Sequence, residues 1–155
     1  MGITANFNTA DIQKRFDAFL VEIEKAQIKR LQKLGEMCVT HARNIAPKSK
    51  GGDGFDDITG NLRSSIGYMV FVDGTAVHTG YEQVKGGSEG IQKGQALAKK
   101  VGEASNGICL VVTAGMNYAL YVESKGRDVI ASAEHLAQRE LPRMLENLIA
   151  NIKKT

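Results

Sequence analysis

Apolar residues recur at Ile12, Phe16, Phe19, Leu20, Ile23, Leu31, Leu34, Cys38, Ala42 and Ile45. Steps of three and four place them on one face of an amphipathic helix. Asn8 is a suitable capping side chain for its start, and Asp11 sets an acid near the positive end of the helix dipole. Pro47 stops it, because the residue before a proline avoids the helical region. Gln27 breaks the apolar face, and Gly35 weakens the helix by about 1 kcal/mol relative to alanine. Unbroken from Asp11 to Ile45, the helix is about 50 Å long. A globule of 155 residues has a radius of gyration near ~15 Å. Either the helix bends near Gly35 or Gln27, or one end projects beyond the body. A projecting apolar face needs a cover, most simply another subunit.

The rest of the chain reads as strands and a second helix. Lys48 to Asp57 is a polar, glycine-rich surface loop, and Gly60 provides a tight turn that launches a strand. Ser65 to Val72 places Ile66, Tyr68, Val70 and Val72 on one face and Met69 and Phe71 on the other. Asp73-Gly74 is a two-residue hairpin signal, with Thr75 to Tyr81 as the returning strand. Residues 82–107 hold Gly86, Gly87, Gly90, Gly94, Gly102 and Gly107 around a short helical pattern at Ile91, Ala96, Leu97 and Val101. This segment is expected to be a flexible insertion within the hairpin. Ile108 to Ala114 is an almost continuous apolar run suited to a central strand. Met116 to Ser124 starts as a helical turn, and Asp128 to Ile130 adds a short edge strand. Ser132 caps a last helix with Leu136, Leu141, Leu145, Leu148, Ile149 and Ile152 on its apolar face. Pro142 either kinks that helix or starts a new one. Helix, three to four antiparallel strands, then helix is an α+β order, in a single domain spanning 1–155.

The charge balance is 20 basic against 17 acidic residues, a net +3 with both signs spread along the chain. That is too weak and too mixed to argue for nucleic acid as a specific ligand. No apolar run approaches the roughly 18 residues of a membrane span. Met1 to Asn8 lacks the charged start and apolar core of a secretory leader. Cys38 and Cys109 sit in unrelated apolar patterns, which favours two buried free thiols over a disulfide.

No catalytic, metal or cofactor constellation emerges. His41, His78 and His135 lie on different elements without metal-ligand spacing. Ser64 and Ser65 lack the glycines of a nucleophile elbow. Asp53, Asp56 and Asp57 miss the calcium-loop spacing and suit turn capping. Lys93-Gly94 is in the wrong order for a phosphate loop. Lys25, Lys29, Arg30 and Lys33 share their helix with Glu22, Glu24 and Glu36, which favours a solvated face over a nucleic-acid contact. The chain is not expected to be an enzyme.

Two segments remain: Thr59-Gly60-Asn61-Leu62-Arg63-Ser64-Ser65-Ile66, and Tyr118-Ala119-Leu120-Tyr121-Val122-Glu123. Preceded by Ala46-Pro47 and a polar loop, and separated by strands, their order resembles the gene-product-10-like family of HK-97-type lambdoid phages. The resemblance covers roughly Ile45 to Ile130 plus the flanking helices and rests on Thr59, Gly60, Leu62, Arg63, Ser65, Ile66, Tyr118, Ala119, Tyr121 and Glu123. After Glu123 the sequence departs from the family's pattern, reading Ser124-Lys125-Gly126-Arg127. The resemblance implies a structural virion protein of head–tail joining (the neck) or tail completion. Its implied partners are copies of itself in a ring, connector or head-closure proteins, and tail terminator or tube proteins. Its implied location is the virion, and the host bacterial cytoplasm during assembly. On the resemblance, Arg63 and Glu123 are expected to form an ion pair; the alternative is two separate surface charges. Residues 82–107 are expected to order on contact with a neighbour. The other readings are a small nucleic-acid-binding accessory protein of a mobile element and, weaker still, a small hydrolase with an unconventional site.

Overall fold

The computed structural model describes Gly2 and residues 8–154. The expectation about a secretory leader therefore falls largely on residues outside that description. Helix α1 runs Thr9–Asn44, and the Asn8 side chain accepts the N–H of Ala10 at 3.0 Å as its cap. A short helix α2, Asn61–Ser64, leads into strand β1, Ile66–Val72. Strand β2 spans Thr75–Gly80, helix α3 Ser88–Gly102, and strand β3 Ile108–Ala114. A short helix α4, Ala119–Ser124, precedes the last helix, α5, Ala131–Lys153. The fold is α+β: a long N-terminal helix, a three-stranded antiparallel sheet and a C-terminal helix.

Strand order is β2-β1-β3, so β1 is central and β3, expected there from its apolar run, pairs with β1 alone. β1 is paired along both edges and covered on both faces. Ile66, Tyr68 and Val70 join Leu34, Cys38, Val39 and Ala42 of α1 and Ala133 of α5 in one core. Met69 and Phe71 meet Ala98 of α3 and Val111 of β3 in another. The alternation read from the sequence thus sorts β1 between two helical layers. Each large side chain fully buried there contributes roughly 1.5–3 kcal/mol. The Asp73-Gly74 hairpin holds, with both residues at positive φ (48° and 81°), as a tight primed turn requires.

Residues 82–107 are not an open excursion. Their centre is α3, whose buried positions are Gly90, Gly94, Ala98 and Gly102, every fourth residue. This stripe lets the helix backbone approach closely: a Cβ at Gly94 would meet Tyr81 and the Ser65 carbonyl, and one at Gly102 the Phe71 ring. Glycine content that reads as flexibility in sequence is here a packing face. α1 is one uninterrupted helix, and Gly35 is a notch rather than a bend. The Tyr68 ring fills it from one side and abuts Gly80 on the other. α5 continues through Pro142, and Asp128 makes only an isolated bridge to Gly54 instead of an edge strand.

Candidate assembly surface

The chain brings its two motif segments together. Gly60, at φ 85°, closes the turn before α2, and its N–H donates to Asp57 Oδ1 at 3.1 Å. Helix α2 then intervenes where the sequence suggested direct entry into a strand. Ser65 ties α2 to the far segment: its Oγ donates to the Leu62 carbonyl at 2.7 Å and accepts the N–H of Met116 at 3.4 Å. Its carbonyl accepts from Gly115 at 3.2 Å. Ile66 and Leu62 are buried, as is Ala119 of α4. Thr59, Leu62, Tyr118 and Val122 line one shallow pocket of about 500 Å³, with Ile58 and Phe55. Burial raises the Tyr118 phenol above its ordinary pKa, assisted by the negative charge of Asp57.

Arg63 and Glu123 do not pair. Arg63 donates to the Arg43 carbonyl, lies 3.9 Å from Asp57 Oδ2 through Nε, and stacks its guanidinium over Phe55 at 5.5 Å. Glu123 Oε1 instead accepts the N–H groups of Ile130 (3.2 Å) and Ala131 (2.8 Å). Asp128 accepts the N–H of Ser132 at 3.2 Å. These two acids do the capping expected of Ser132. A carboxylate suits that place, where unpaired N–H groups and the helix dipole favour negative charge.

Arg43, on the buried side of α1, went unnoticed in the sequence. Its Nε and Nη2 donate to the Ile66 carbonyl at 3.2 and 2.7 Å, and Nη2 also to the Glu82 carbonyl at 2.9 Å. Burial pulls its pKa down, opposed by the nearby Glu82 carboxylate. It joins α1, the start of β1 and the chain leaving β2, which fixes the motif region against the long helix. A lone arginine late in a helix carries no periodic signal, so only packing reveals it.

Large apolar side chains of this region are exposed. Ile58 is 89% exposed, Leu120 79% and Tyr121 63%, with Lys125 Nζ 5.2 Å above the Tyr121 ring. Lys48, Lys125 and Arg127 border the pocket. Ile58 was legible as a single apolar residue between Asp57 and Thr59 in a polar loop.

No family model, curated protein or solved structure matches the chain. The surface is therefore interpreted from its own chemistry. Among the described residues no group of three or more His, Cys, Asp or Glu converges to hold a metal, and no helix is long and apolar enough to cross a membrane. His41 Nε2 lies 2.8 Å from Ser132 Oγ at an exposed site. The N–H groups that could steady an oxyanion there, those of Ile130, Ala131 and Ser132, are already taken by Glu123 and Asp128. Those three donors are therefore not available to an oxyanion beside this pair.

Proposed function

We propose that this chain is a structural protein of a phage or prophage virion. It acts in head–tail joining or tail completion through contacts with copies of itself and with neighbouring connector or tail proteins. The observation that most supports this reading is the division of labour at the motif surface. The polar atoms of Gly60, Arg63, Ser65 and Glu123 are spent on internal bonds. The outward residues Ile58, Leu120 and Tyr121 are large and apolar. Large apolar side chains left exposed on a motif region that also carries Lys48, Lys125 and Arg127 suit protein docking better than a reaction centre.

Electron microscopy of particles made without this gene, beside a complemented control, tests the role. Separate filled heads and finished tails support joining; overlong or ragged tails support tail completion. Normal infectious particles contradict both. Lys48, Lys125 and Arg127 on the pocket rim favour one second reading, nucleic-acid binding. That reading requires binding at low salt that falls steeply as salt rises.

A further inference from the structure

Two apolar surfaces away from the motif region lack a partner among the described residues. The first is the N-terminal part of α1, where Ile12, Phe16, Phe19 and Leu20 are each about half exposed or slightly more or less. They form a convex rib on the same face that, further along, packs into the core. The second is a concave groove of about 800 Å³ between α1, β3 and α5, lined by Leu31, Leu34, Leu110, Ala137, Leu141 and Leu145 among others. The rib and the groove sit on one continuous helix. From Phe16 to Leu34 is about 27 Å at 1.5 Å per residue. With α1 unbroken from Thr9 to Asn44, a chain cannot seat its own rib in its own groove.

We propose that the rib of one copy docks in the groove of the next, so that the occupant of the groove is a second copy of this chain. The inference rests on the assembly reading above for its ring, and adds the surfaces that build it. Three observations favour this occupant. The rib presents aromatic and aliphatic knobs, and the groove is lined by aliphatic side chains. Each surface is left open in the same molecule, so a copy offers both halves of the contact. A rib-to-rib pair leaves the apolar groove open in both copies, whereas rib-in-groove pairing covers both surfaces. Rib-in-groove pairing is head-to-tail: it generates a ring if the rotation closes and a filament if it does not.

The test is sedimentation velocity on the full chain with Phe16→Glu on the rib and Leu145→Glu on the groove. Both positions are exposed (55% and 42%), so the helical circular dichroism is expected to persist. Wild type associates; each variant alone is monomeric. Their equimolar mixture forms dimers and nothing larger, because one intact rib meets one intact groove. Self-association of Leu145→Glu at the wild-type level overturns the proposal in favour of a rib–rib pair. A monomeric wild type, or a mixture that stays monomeric, overturns it outright. A second measurement mixes Phe16→Cys with Leu145→Cys under a mild oxidant. A covalent heterodimer is expected, and its absence counts against the contact. Failure here leaves the virion role to the particle microscopy, which reads a different outcome.

Discussion

Glu123 accepts the backbone N–H of Ala131 at 2.8 Å, and that bond joins the second motif segment to the start of α5. The glutamate is thus a helix cap, and the motif it closes is held to the C-terminal helix rather than to Arg63. Loss of a cap costs about 0.5–2 kcal/mol. Glu123→Ala is expected to lower stability by about 1–2 kcal/mol in urea unfolding, and Glu123→Gln, which keeps an acceptor, by less.

Arg43 satisfies the Ile66 and Glu82 carbonyls at once. Leaving a buried acceptor unpaired costs about 1–3 kcal/mol. Arg43→Met is expected to fall within that range, chiefly through the buried Ile66 carbonyl, since the Glu82 bond is only partly buried. Arg43→Lys is expected to recover little, because a single ammonium cannot reproduce the planar fork. Thermal unfolding of the two variants checks both statements.

At Gly35 two effects oppose each other. Alanine in a helix interior gains about 1 kcal/mol over glycine. A Cβ there meets the ring of Tyr68, one of the largest fully buried side chains. Overpacking a filled core costs about 1–3 kcal/mol. Overlap outweighs propensity: Gly35→Ala is expected to destabilise by up to about 2 kcal/mol, measured by denaturant midpoint, where an exposed helical glycine would stabilise.

Alkaline pH is expected to erode the fold through its tyrosines. Burial pushes Tyr81 up from 10.0 to about 12, against a smaller opposing effect of its hydrogen bond with Thr113. Tyr68 is raised too, by burial and then by its bond to Glu36. The folded pKa lies above the unfolded one, so this contribution is full below pH 10 and is lost as pH rises toward the folded value. Stability is expected to fall with pH above about 10, and Tyr81→Phe to make that fall shallower. An unchanged slope in Tyr81→Phe, from unfolding at several alkaline pH values, counts against it.

Much of the fold was legible because its signals are local. The α1 stripe, the Asn8 cap, the alternation in β1 and the Asp73-Gly74 turn each depend on residues close in sequence. What failed depends on partners. The glycines of α3 read as freedom because their neighbours, Tyr81, Ser65 and Phe71, are distant in the chain. The apolar run of β3 read as central, yet β3 pairs with β1 alone; the run is apolar because α1 and α3 both pack against this strand. At the candidate site the two segments were identifiable and their proximity came from the resemblance. Arg63 and Glu123 were paired on the resemblance, and each has a better-placed partner. The exposure of Ile58 and Leu120 was not legible: a lone apolar residue beside a polar loop, or within a motif, does not show which way it faces.

The most direct test of the account replaces Leu120 and Tyr121 together by aspartate in the phage or prophage and images the particles. Both side chains are exposed, so the isolated protein is expected to melt as wild type does. The account predicts unjoined heads and tails, or unfinished tails, with infectivity lost. Joined, infectious particles from a stably folded double variant would contradict the claim that this surface is where the protein docks.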